Sequence, residues 1–256
     1  MKNILAKIDF HYSFIIMAFG LVLTGHFSNL IVFTSIIIVH EMGHYFVSYL
    51  FGYEVEKIII YPYGGLLKLN TMVNTNIYKD LIVAISGLLM QCIYFYFIFF
   101  LYKYGIVREY IYNLFYLYHR SMLLFNILPI IPLDGSKIIN LILSKYFNFN
   151  LANRLTVFIS FITIIIVLVT NMCEYNYSLL LTIGVLLQNI YNFYSDISFV
   201  YNRFLIERYL YNINYKDKII IEDKDKMFKN KMHLFNINGK FFEERDYLNI
   251  FFKKKY

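Results

Sequence analysis

The chain has 256 residues, of which 59% are hydrophobic, 20% aromatic and only 16% charged, and its mean hydropathy is +0.53. An ordinary soluble domain has about a quarter charged residues and somewhat under half apolar ones, so the composition excludes a disordered chain and indicates an integral membrane protein. The net charge of +7 does not mark a nucleic-acid binder, because lysine and arginine fall between apolar runs and in the tail; two cysteines, Cys92 and Cys173, make neither a disulfide framework nor a cysteine zinc site.

In chain order, Lys2 and Lys7 precede an apolar stretch over residues 13–23. Thr24, Gly25, His26 and Phe27 follow without a small-x-small cleavage site, so the stretch is expected to be a retained first span and not a signal peptide. Six apolar stretches emerge, at 12–28, 30–51, 81–102, 110–130, 155–172 and 178–196. Each is near the length of about 20 residues that a spanning helix needs. Basic residues crowd alternate connections: Lys2 and Lys7, then Lys57, Lys68 and Lys79, then Lys137, Lys145 and Arg154, then thirteen in the tail from 201. The opposite side has Lys103 and Arg108, with Glu109 and Glu174. By the positive-inside bias, both termini are expected to be cytoplasmic. The tail mixes its thirteen basic residues with eight acids and carries β-type runs at Lys218–Ile221 and 233–237, with an Asn238-Gly239 turn signal. It is expected to be a small α/β appendage on the membrane, the alternative being a basic tail held by anionic lipid. The fold expected is an all-α membrane protein of about six transmembrane helices, with residues 1–200 forming the membrane domain and 201–256 the appendage.

The chemistry concentrates in the second stretch. His40-Glu41-Met42-Gly43-His44 interrupts an otherwise apolar run, and ionisable groups in hydrocarbon are costly unless partnered. Four residues apart on a helix, His40 and His44 project from one face, one turn from each other. Two imidazoles so placed can bind one Zn²⁺, and Glu41 can reach a water on the metal, the H-E-x-x-H arrangement of zinc metalloproteases. Gly43 offers a notch for close helix packing.

A catalytic zinc takes three protein ligands and keeps one position open. Glu54, Glu56 and Asp80 lie in the connection after the second stretch, and His119 lies in the fourth, several turns from the depth expected for the metal. Asp134 is best placed, beside Pro129 and Pro132, which break the fourth helix. Irregular backbone at membrane depth survives only inside protein or along a cavity. The alternative is an Asp134 that caps the next helix, over 135–143. His119-Arg120 reads as a gating pair or as partners within the bundle, and Cys92 as a small buried hydrophobe. Three functions fit a metal-binding helix: a protease, a catalytically silent membrane binding protein, and a metal transporter. A single asymmetric cluster with a glutamate next to a ligand favours hydrolysis over the repeated, symmetric ligand sets of transporters.

His40–His44 in an early span, with Asn126-x-x-Pro129-x-x-Pro132-Leu133-Asp134-Gly135 in a later one, resembles the site-2 protease family of intramembrane zinc metalloproteases. Pro62-Tyr63-Gly64-Gly65 and Arg203-Phe204-Leu205-x-Glu207-Arg208-Tyr209 add to the likeness. The resemblance implies His40, His44 and Asp134 as ligands of one Zn²⁺ per chain and Glu41 as the catalytic glutamate. It also implies Asn126 beside the substrate peptide, and Gly64 and Gly65 in a membrane-dipping β-hairpin that pairs with substrate as an added strand. The neighbouring run at 58–61 also suits strand addition, and Lys68 and Asn70 line a polar entry or form a plain loop. The family's substrates imply a membrane-tethered transcription-factor precursor of the pro-sigma type, with inhibitory membrane proteins as further partners and no nucleic acid. The third span reads Ser86-Gly87-Leu88 where the family has Ala-Gly-Pro.

Overall fold

The computed structural model describes residues 7–170, 177–211, 213–215, 217–237 and 239–255; Cys173, Glu174 and Asn238 lie outside the described residues. The elements run β1 (Ile8–Phe10), α1 (Tyr12–Leu23), α2 (Phe27–Leu50), β2 (Glu54–Tyr61), β3 (Gly64–Asn70), α3 (Ile77–Lys103), α4 (Glu109–Ile127), α5 (Asp134–Tyr146), α6 (Phe149–Thr170), α7 (Tyr177–Leu210), β4 (Lys218–Ile221), β5 (Met232–Ile237), β6 (Lys240–Glu243) and α8 (Glu244–Lys255). A helix lies on each of the six apolar stretches. Among the described residues three of them, α2, α3 and α6, are long and apolar enough to cross a membrane. Helix α1 is apolar but has only 12 residues, and α7 continues to Leu210. The short helix α5 fills the connection after the prolines.

The chain divides into two compact units, residues 1–71 with 82–127, and residues 72–81 with 128–256. In the first, α2 packs against α1, α4 and the strands. Its buried residues Val32, Ile36, Ile37, His40, Glu41, Gly43, His44 and Ser48 recur at helical spacing and form one stripe. The stripe meets Phe14, Ile60, Phe115 and Met122 in an apolar core. Outside that stripe, Ile31, Phe46, Tyr49 and Leu50 are exposed, as are Ile82, Leu89, Ile93, Phe97 and Phe100 on α3. Apolar surface on this scale suits lipid as the surrounding medium; the chain is a membrane protein.

Strands β1, β2 and β3 form a sheet in that order, β1 parallel and β3 antiparallel to β2, with Ile8 opposite Ile58 and Tyr61 opposite Gly64. Pro62 and Tyr63 make the turn. Gly64 has φ +148°, a backbone conformation that glycine adopts without penalty. The run at 58–61 therefore lies in the central strand, hydrogen-bonded on both sides, and is not available to an added strand. Among the described residues β3 is an edge strand, as is the three-residue β1, and Lys68 and Asn70 belong to β3 and not to a loop.

In the second unit α5, α6 and α7 pack in sequence. The segment between α4 and α5 is fixed by Ile131, whose N–H donates to Ser160 Oγ on α6 (3.2 Å), while Ile130, Ile131 and Leu133 are buried. After α7, strands β4, β5 and β6 form a second sheet, β4 parallel and β6 antiparallel to β5. Phe235, Ile221, Met227 and Leu248 from this region bury against Tyr201, Phe204 and Leu205 of α7 and Phe149 of α6.

Candidate metal centre

Helix α2 carries His40 and His44 one turn apart with Glu41 next to the first, all buried, and the ligand atoms of the three lie within 4.8 Å of one another. Each imidazole is oriented from behind. His44 Nδ1 lies 2.7 Å from the backbone carbonyl of Val83 on α3, so it must carry a proton and donate it. His40 Nδ1 lies 3.1 Å from Gln91 Oε1, also on α3. The direction of that second bond follows from the far side of the amide: Gln91 Nε2 donates to the His119 carbonyl on α4 (3.0 Å), which leaves Oε1 to accept from His40.

Both imidazoles are thereby held with Nδ1 protonated and Nε2 directed inward. The two Nε2 atoms stand 3.2 Å apart. With their protons engaged elsewhere, neutral rings would face each other with two lone pairs and no hydrogen between them. A cation relieves that arrangement. For Zn–N bonds of about 2.0–2.1 Å at a tetrahedral angle, two ligand nitrogens sit roughly 3.3 Å apart. The nitrogen donors, their spacing and their backing hydrogen bonds therefore fit a zinc ion.

Three glycines make the packing around this cluster possible. A Cβ on Gly43 would come within 2.6 Å of the Ser86 carbonyl oxygen and 2.7 Å of Met90 Cβ, so α2 and α3 approach to backbone contact. A Cβ on Gly87 would overlap the His44 imidazole. Gly87 thus occupies its place in Ser86-Gly87-Leu88 because the ring of His44 lies on it. A Cβ on Gly65 would overlap Cγ and Cδ of Glu41, which puts the β3 backbone directly on that carboxylate side chain. Gly64, by contrast, serves the turn.

Asn126 is buried on the face of α4 that also presents Phe115, His119 and Met122. Asp134 belongs to the second unit. It is the first residue of α5, whose cap position is Leu133, so it does not cap that helix; it is buried and accepts from Lys137 Nζ at 2.8 Å. His119 is closer to the cluster's hydrogen-bond network than the sequence suggested: its carbonyl holds Gln91, and its ring stacks on Phe95 with centroids 4.6 Å apart. Its partners lie within the bundle. Cys92 is half-buried and not part of the core. Gln91 escaped the sequence reading altogether; the signal was one amide inside the apolar run 81–102, with no spacing rule to connect it to His40.

The peptidase family M50 profile matches residues 28–112. The chain is 28% identical over 232 residues to stage IV sporulation protein FB of Bacillus subtilis strain 168, covering 88% of this chain and 80% of that one. It is 28% identical over 123 residues to a zinc metalloprotease of Methanocaldococcus jannaschii, covering 47% of this chain and 35% of that protein. Among solved structures, the site-2 protease from Methanocaldococcus jannaschii aligns with a TM-score of 0.58 at 21% identity, covering 72% of this chain and 89% of that one.

Proposed function

We propose that the chain, whose residues 28–112 match the peptidase family M50 profile and whose fold is like that of a site-2 protease, is an intramembrane zinc metalloendopeptidase. The observation that carries this reading is the His40–His44 pair with both Nε2 atoms turned inward beside Glu41. His40, His44 and Asp134 are assigned as zinc ligands and Glu41 as the catalytic acid–base. The likeness to peptidases argues against a transporter, and the presence of Glu41 beside the two histidines argues against a silent binding protein.

A bound zinc ion supplies Lewis acidity toward a peptide carbonyl and toward water. The chain's own groups do the rest. Glu41 takes a proton from the attacking water and returns it to the leaving amine. Val83 and Gln91 hold the two imidazoles in one tautomer. Asn126, on the buried face of α4, hydrogen-bonds the peptide. The open edge of β3 takes the substrate as an added strand, with Gly64 and Gly65 at its start, because main-chain bonding suits a polypeptide that must be extended before it is cut. Gly65 brings that strand next to Glu41.

The helices on all six apolar stretches support a six-span membrane domain over residues 1–200, and the lysine and arginine bias supports cytoplasmic termini and a cytoplasmic appendage over 201–256. The likeness to a sporulation protein supports a membrane-tethered transcription-factor precursor, such as a pro-sigma factor, as substrate, and an inhibitory membrane protein as partner. Glu41→Gln tests the proposal: cleavage of a co-expressed, membrane-tethered pro-sigma factor should fall about 10²–10⁴-fold with bound zinc unchanged. Undiminished cleavage refutes it.

A further inference from the structure

We propose that Gln91 is a positioning residue that makes the metal affinity of His40 depend on helix α4. The inference rests on the metalloprotease reading and goes beyond its ligand set. Gln91 is fully buried in the middle of α3, where an unsatisfied amide would be costly. Its two ends are used in opposite senses. Oε1 accepts from His40 Nδ1 (3.1 Å), and Nε2 donates to the His119 carbonyl (3.0 Å). Only one orientation of the amide satisfies both neighbours, because the carbonyl offers no proton. The orientation forces the proton of His40 onto Nδ1 and leaves Nε2 as the inward donor atom. A histidine with its proton on Nε2 offers the metal nothing from that atom.

The other imidazole needs no such device, since a backbone carbonyl, Val83, orients His44. The two ligands therefore differ: His44 is set by α3 alone, and His40 by a relay that begins on α4. The ring of His119 stacks on Phe95 of α3, with centroids 4.6 Å apart, which fixes the height of α4 at the carbonyl that holds Gln91. An α4 displaced by one residue would take that carbonyl away and release the amide to turn.

Zn²⁺ and Co²⁺ affinities of the detergent-purified full chain test this, with the Co²⁺ absorption spectrum reporting ligand geometry. Gln91→Leu keeps the volume and removes the amide's hydrogen bonds; it should weaken metal binding about 10–100-fold in a metal-free protein that still unfolds cooperatively. Gln91→Glu should recover most of the affinity, because a buried, protonated carboxyl can accept from His40 and donate to the His119 carbonyl in the same places. If wild type and Gln91→Leu bind metal equally, the inference fails and the protease reading stands. If the wild-type chain binds neither ion, both fail together. A Gln91→Glu variant as weak as Gln91→Leu also overturns the relay, since restoring both bonds would then restore nothing.

Discussion

His40 and His44 owe their placement to a periodicity that can be read directly: four residues on a helix is one turn, and three ionisable groups inside an apolar run need a reason to be there. Their backing groups have no such legibility. Val83 acts through its carbonyl, which no side chain announces, and Gln91 is 51 positions from the histidine it orients. Gly87 was visible only as a departure from a pattern, and its meaning became clear once the His44 ring was found on it. Gly87→Ala should therefore displace that ring, and a shift of the order of 1 Å at a reacting centre costs about 100-fold in rate. Measured side by side, Gly87→Ala should lose cleavage and zinc together. Gly65→Ala, whose Cβ meets Glu41, should lose cleavage with zinc retained. Equal zinc loss in both variants would contradict the assignment of the two glycines to different partners.

At the scale of elements, the helices and the two β-runs of the tail followed from apolar length and residue type. The limits of α7 did not, because Asn189, Asn192, Asp196 and Asn202 break its hydropathy while its helical hydrogen bonding continues. Nor could the role of Glu207-Arg208 be read. Glu207 accepts from the N–H groups of Val73 and Asn74, and Arg208 donates to the carbonyls of Phe228, Lys229 and Lys231, to Asn74 Oδ1 and to Glu244. These two residues tie the stretch before α3 to the appendage within the second unit. The side chains of Arg208 and Glu244 are 1% and 6% exposed, so Arg208→Leu takes the guanidinium away from a buried carboxylate that, among the described residues, keeps only its bonds to His233, and should cost about 3–5 kcal/mol, seen as a lowered thermal midpoint. The same cluster sets a pH limit. Burial pushes His233 below its ordinary value of 6.5, against the opposing pull of Glu244. Its Nε2 accepts from the Phe228 N–H at 2.9 Å, a bond that protonation would remove. The unfolded chain then binds the proton more readily than the folded one, so the contribution is complete above about pH 6.5 and declines as the pH falls below it. Thermal unfolding from pH 8 to 5 should show the midpoint dropping on the acid side, and His233→Gln should flatten that limb.

For the whole molecule, the amount of exposed apolar helix identifies the medium, and the distribution of lysine and arginine is what supports the proposed orientation in it. Single cysteines introduced at 213 and 105 in a chain lacking Cys92 and Cys173 should label from opposite sides of sealed vesicles, the first from the cytoplasmic side. Removal of the metal with a chelator should stop cleavage, and zinc should restore it. Free zinc at 100 times its dissociation constant should stabilise the fold by about 2.7 kcal/mol, an effect that His44→Ala should abolish. The sheet of the first unit has a consequence for where solvent goes. Among the described residues, β3 pairs on one side only, with β2. Peptide N–H and C=O groups on the other side cannot stand bare in hydrocarbon. On the proposed placement of this hairpin in the membrane, water would satisfy them while no guest strand lies there, and the Gly65 end of that edge rests on Glu41. Under the proposed function, the resting chain would thus keep its second reactant stored beside the proposed base, and an arriving polypeptide would displace most of that water and consume one molecule of what remains.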